Sequence, residues 1–206
     1  MPRRRSAAET RTPPEDLRPR GQRTRARLLE SGAAVFADRG YHAARVDDIV
    51  KLAKTSHGTF YLYFTNKEEL LRALAEVTSD QLAGLTEQLP ALCPGPDGLA
   101  SLTDWMAEFR GLYVGAGPVL QAWSEAEIVG NDVGKLAATV WSALTNALVE
   151  RIAATSPVDL DPTVAALALV AMIERANYYV LAGQVDADGD VMAHTLARIT
   201  QRAIFS

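Results

Sequence analysis

From Arg23 onward, apolar residues recur three and four positions apart, and no segment alternates apolar with polar. That spacing builds helices with one apolar face and leaves no material for a sheet. Leu28, Leu29, Ala33 and Phe36 share a face, and Gly40 follows "ADR" as a stop signal. Short helices are predicted over about 46–54 and 57–64, then a longer one over 66–89 that opens on "NKEELL". Glu68 and Glu69 in its first turn suit the positive end of a helix dipole. After the loop "CPGPDG", five more helices are predicted at 98–115, 118–129, 132–155, 161–183 and 188–204. "GAGP", "GND", "SPVDLDP" and "VDADGD" separate them. Asp161 before Pro162 reads as an N-cap and first-turn pair.

The expected architecture is all-α with about nine helices. It comprises a basic arm over 1–21, expected to be disordered, a helix-turn-helix domain over 22–66 and a helical bundle over 67–206. Residues 66–89 connect the last two. Charge divides along the same line. Residues 1–75 carry 15 Lys and Arg against 9 Asp and Glu, net +6; the remaining 131 carry 6 against 16, net −10. A basic third on an acidic chain suggests that the first part meets a polyanion. No uninterrupted apolar run reaches the ~18 residues of a transmembrane helix. The single cysteine, Cys93, has no internal partner and fits a reduced, cytoplasmic setting.

The stretch "TSHGTFYLYFTNKEELL", Thr55 to Leu71, crowds aromatics onto one short helix. Phe60 and Phe64 are four apart and can hold it in a core with Phe36, Ile49 and Leu52. Thr59, Tyr61, Leu62 and Tyr63 then point elsewhere, and Gly58 lets the backbone approach another surface. Tyrosine hydroxyls and Lys67 suit phosphates, while Leu62 and the Thr59 methyl suit a thymine methyl. Arg45, Lys54, Thr55, Ser56 and His57 complete the candidate DNA-binding set.

"FADRGYHAARVDDIVKLAKTSHGTFYLYFTNKEELL" resembles the DNA-binding domain of TetR-family transcriptional regulators. The shared pattern is F-x-x-x-G-aromatic, a helix-turn-helix, then aromatic-x-aromatic-F-x-x-K-E-x-L, carried by residues 23–75. The resemblance implies a homodimeric regulator, a repressor on a palindromic operator, released when a small molecule binds the C-terminal domain. Three positions depart from the pattern. Arg45 replaces a Thr or Ser cap, Lys54 and Thr55 stand where Gly-Val is common, and His57 replaces a frequent Lys.

In the C-terminal part, Trp105, Phe109 and Tyr113 form an i, i+4, i+8 stripe. With Trp123, Trp141, Met172 and Tyr178 they are core material from which an effector pocket would also be built. Asn146 and Asn177 are its candidate polar contacts, and the expected effector is lipophilic or aromatic. Helices 161–183 and 188–204 are apolar on more than one side and are the expected dimer surface. The candidate residues are Val164, Leu167, Val170, Ile173 and Val180, with Leu196, Ile199, Ala203 and Ile204. His42, His57 and His194 have no metal-ligand spacing, so no metal or cofactor is expected. "DADGD" lacks the glutamate of a calcium loop and reads as a helix cap. No nucleophile elbow or phosphate loop occurs, so an enzyme is not expected. The alternatives are a DNA-binding regulator that senses a partner protein, and a helical small-molecule carrier or enzyme.

Overall fold

A computed structural model describes residues 18–126, 131–155 and 160–205. Among them are eight helices and no strand. They are α1 (Pro19–Ala43), α2 (Val46–Leu52), α3 (His57–Tyr63), α4 (Lys67–Glu87), α5 (Gly95–Ala126), α6 (Asn131–Ala154), α7 (Pro162–Leu181) and α8 (Gly189–Phe205). The all-α expectation holds. The arm expected up to residue 21 lies mostly outside the described residues, and α1 already begins at Pro19, a residue suited to a first helical turn.

Two compact units divide the chain: Met1–Ala75 with Pro118–Val129, and Glu76–Gly117 with Gly130–Ser206. Helices α4 and α5 each carry residues of both. In the first unit, Leu28, Phe36, Ile49, Phe60, Phe64, Leu70 and Leu71 are buried. Gly32 is needed there for packing: a Cβ on it would lie 2.3 Å from a methyl of Leu70. In the second unit, Leu102, Trp105, Phe109, Leu144, Leu148, Ile152, Ala166, Ile173 and Ala197 make the core.

Two helix starts agree with the caps read from sequence. Asp161 Oδ1 accepts hydrogen bonds from the Thr163 and Val164 amides, both at 2.9 Å. Asp188 Oδ1 does the same for Asp190 and Val191 at 3.0 and 2.9 Å, which holds its carboxyl below the usual carboxylate range. "DADGD" is thus a cap turn.

Two punctuation readings need correction. Gly40 does not end α1 cleanly; it kinks the helix at φ 74° and ψ 160°, and Tyr41–Ala43 follow beyond the kink. "GAGP" does not break the chain, because α5 runs through it. Gly117 is a packing glycine: Leu181 on α7 comes within 2.8 Å of where its Cβ would be. A glycine in mid-helix costs about 1 kcal/mol, and here the close approach of Leu181 requires it.

Candidate functional site

The α2–turn–α3 segment is built by local capping, one ion pair and one carboxylate–imidazole contact. Asp47 and Asp48 stand in the first turn of α2, where carboxylates complement the helix dipole. Asp48 reaches Arg39 of α1 at 3.0 Å. Asp47 pairs with Nε2 of His57, the first residue of α3. Both carboxylates are therefore engaged inside the unit. Arg45 occupies the N-cap of α2 without a side-chain cap bond, so the expected loss of a cap there is observed. Among the described residues, Arg45, Lys51 and Lys54 are exposed and have no ion pair.

The turn itself is a Schellman motif. Lys54 N donates to Lys51 O at 3.2 Å and Thr55 N donates to Val50 O at 3.0 Å, so Lys54 holds the position that glycine usually fills. Its φ is +49°. Ser56 then caps α3, its Oγ accepting from Thr59 N at 3.1 Å and lying 3.0 Å from Thr59 Oγ1. This is a complete N-cap, and it leaves Thr59 half-buried against Ser56.

Helix α3 has two unlike faces. Phe60 is fully buried and Phe64 nearly so, their rings 5.7 Å apart. Arg25 of α1 lies over the Phe64 ring at 5.6 Å, an attraction between cation and π face. On the other side Tyr61 is 51% exposed and Leu62 69%. His57 and Gly58 are exposed, Tyr63 and Thr55 half-buried. A Cβ on Gly58 would meet only Ser56 Oγ, at 3.8 Å, so nothing inside the unit demands glycine there.

Lys67 departs from its expected role. Its Nζ donates to the carbonyls of Tyr41 (2.7 Å), His42 (3.0 Å) and Ala44 (3.2 Å) and sits 4.7 Å from the Tyr41 ring centroid. All three donor positions of the ammonium are taken up by the unpaired carbonyls at the end of α1. Lys67 thus serves as a helix C-cap, and the sequence offered no sign of this partner 26 residues away. Asn66 and Glu69 both cap the start of α4: Asn66 Oδ1 accepts from Glu69 N at 2.8 Å, and Glu69 Oε2 accepts from Thr65 N at 2.6 Å.

In the second unit Trp105, Phe109 and Tyr113 stack in a ladder, with centroids 5.7 and 5.9 Å apart and all three buried. Half-buried Trp141 lies 6.4 Å from Phe109. Trp105 Nε1 donates to Leu85 O at 2.9 Å. Tyr113 OH donates to Glu174 Oε1 at 3.1 Å. Burial, then the Glu174 carboxylate, pushes the Tyr113 hydroxyl well above its ordinary value. Glu174 is the one carboxylate not fully exposed among the described residues of this unit. Arg175 approaches it at 3.5 Å and covers the ring of half-buried Tyr178 at 5.0 Å. Met172 is half-buried as well.

The polar contacts foreseen for an effector do not gather here. Asn146 is exposed on α6, and buried Asn177 donates to Ile173 O of its own helix at 2.8 Å. That helical i−4 bond engages one of its two Nδ2–H donors. Glu174 stands out in the sequence as a polar residue in an apolar helix, but its pairing with Tyr113, 61 residues away, leaves no trace there. The side chain of Trp123 lies outside the described residues. Among those described, no cluster of His, Cys, Asp and Glu could hold a metal.

The expected dimer residues divide. Val170, Ile173, Leu196 and Ile204 are buried within the unit. Val164 is 65% exposed, Leu167 61% and Ile199 46%, and Ala203 is also exposed. Val180 is half-buried. Val191 on α8 is 65% exposed as well. Among the described residues α7 is the one helix long and apolar enough, by length and composition alone, to cross a membrane, and Glu174 and Arg175 interrupt it.

Residues 28–74 match the family described as bacterial regulatory proteins, tetR family. A regulator from Bacillus subtilis, "Uncharacterized HTH-type transcriptional regulator YdgC", is 38% identical over 73 residues, 35% of this chain and 37% of that protein. The chain thus spans just over a third of that relative's length. Beyond that segment the likeness is one of fold. A transcriptional regulator from Saccharomonospora viridis, solved with choline, superposes with TM-score 0.73 at 22% identity, covering 90% of this chain and 99% of that one. The regulator FadR from Bacillus subtilis, solved with stearoyl-CoA, gives 0.66 at 19%, covering 87% and 98%. Residues 28–74 thus carry a tetR-family module, and the chain as a whole shares the fold of these regulators.

Proposed function

We propose that the protein is a homodimeric transcriptional regulator, most simply a repressor, that binds a palindromic operator and is released by a small lipophilic or aromatic effector. The observation that carries the DNA reading is α3. Its apolar underside is buried, while Tyr61, Leu62, His57 and Gly58 are presented outward from a Ser56-capped start. The acidic side chains of α2 are engaged internally and its cations are not, which favours a polyanion. Tyr61 and Arg45 are assigned to phosphates, Leu62 and the Thr59 methyl to base edges. Lys67 acts behind this surface, by fixing the end of α1. His57, paired with Asp47, is assigned to orient the first turn of α3.

The effector is assigned to the aromatic ladder of the second unit, with Tyr113 and Glu174 in place of Asn146 and Asn177 as its polar contacts. The ligands in the structures of the S. viridis and B. subtilis regulators support a small-molecule reading without naming this one. The second copy is assigned to the outer face of α7 and α8, and two-fold pairing accounts for a palindromic operator. Such a protein works in the cytoplasm, where its DNA is.

Selection from a random-sequence duplex pool tests this. The chain is expected to enrich a palindrome and shift it at 150 mM salt. Tyr61→Phe is expected to weaken binding to every sequence, and Leu62→Ala to relax base preference. No enrichment, with the protein folded, would sink the reading. A thermal-shift series of lipophilic and aromatic compounds tests the effector: binding to the native state alone raises Tm.

A further inference from the structure

We infer that Lys54 is a phosphate-contacting residue retained at the expense of backbone strain. This rests on the DNA-binding reading above and assigns to one residue a measurable part of it.

The geometry of the turn carries the inference. Lys54 is the only non-glycine residue with positive φ among the described residues; Gly40, Gly95 and Gly183 fill the other such positions. The Schellman bonds from Lys54 N and Thr55 N force that conformation on whichever residue stands there. Glycine adopts it freely, asparagine and aspartate tolerate it, and a long side chain with a Cβ is strained by it. Nothing among the described residues compensates. The Lys54 side chain is exposed and makes no hydrogen bond or ion pair among the described residues. A strained residue without an internal partner points to an external one.

The location says which. Lys54 stands two residues before Ser56, the cap of α3, so its ammonium is carried at the start of the helix that presents Tyr61 and Leu62. The nearby carboxylates already have partners, Asp47 in His57 and Asp48 in Arg39. An ammonium on a flexible stem is a point charge without directional preference, suited to a phosphate rather than a base edge. Lys54 therefore adds affinity and not sequence preference.

The experiment uses the full chain and the duplex it selects from a random pool. Lys54→Gly removes both strain and charge, while Lys54→Arg keeps both. Lys54→Gly is expected to raise Tm by about 2–4 °C. It should also weaken binding and lower the slope of log K against log salt by about 0.9 for each Lys54 in contact. Base preference should not change, and Lys54→Arg should bind as the wild type does. If Lys54→Gly melts higher but keeps the full salt slope, Lys54 is strain without function and the inference fails. If it melts no higher, there was no strain to offset. If Lys54→Arg loses the slope, charge is not the reason lysine is there. A wild-type chain that selects no duplex overturns the DNA reading itself, and this contact with it.

Discussion

Helices α3 and α7 both turn large apolar side chains to solvent, yet they do so in opposite company. On α3, Tyr61 and Leu62 stand close in the chain to Arg45, Lys51 and Lys54, cations without partners among the described residues, on a helix of only seven residues. On α7, Val164 and Leu167 lie on a 20-residue helix whose only charged side chains, Glu174 and Arg175, face each other. Exposed apolar surface alone does not identify a partner. Beside unpaired cations it fits a groove lined with phosphate; on a long neutral face it fits another protein surface.

The comparison breaks most severely at the underside of α3. Phe60 is fully buried, and Phe60→Ala should cost about 3–5 kcal/mol. Thermal melting should show the first unit unfolded or nearly so, with DNA binding lost; an unshifted Tm would mean that Phe60 does not anchor α3. The corresponding test on α7 acts on assembly instead. Leu167→Asp puts a charge on the outer face, counted twice in a two-fold pair. Dimer affinity should fall by a hundredfold or more, about 2.7 kcal/mol. Light scattering should then report a monomer with unchanged helix content. A wild-type monomer at micromolar concentration would remove the protein-surface side of the comparison.

Lys67 sharpens the contrast between cations that hold the fold and cations left for DNA. Lys67→Met removes three charge-assisted hydrogen bonds and should cost about 1.5–3 kcal/mol. Weakened DNA binding with an unchanged melting curve would return Lys67 to the phosphate-contacting set. The smallest effect is expected in the second unit. Tyr113→Phe removes one hydrogen bond to Glu174 and should cost about 1 kcal/mol near neutral pH. The sign with pH follows from the raised Tyr113 value. The folded state holds that proton more tightly than the unfolded chain. Its contribution is therefore whole below pH 10, the ordinary tyrosine value, and is lost as pH rises beyond it. Alkaline melting curves of wild type and Tyr113→Phe should converge above that point.

The helices, the helix-turn-helix and the caps at Asp161 and Asp188 were legible in the sequence, because each depends on residues within four positions of one another. Hydrophobic periodicity and capping are local physics and leave a local trace. Tertiary structure alone decided the rest. It gave Lys67 to the end of α1, joined Tyr113 to Glu174, turned Asn146 outward and returned the Asn177 amide to its own helix. It made Gly117 a seat for Leu181 where the sequence suggested a break. It divided the apolar residues of α7 and α8 between an inner and an outer face. The physical reason is that a side chain's partner is set by which helix faces meet, and residues 26 to 64 positions apart meet only after packing has chosen among faces that periodicity leaves equivalent.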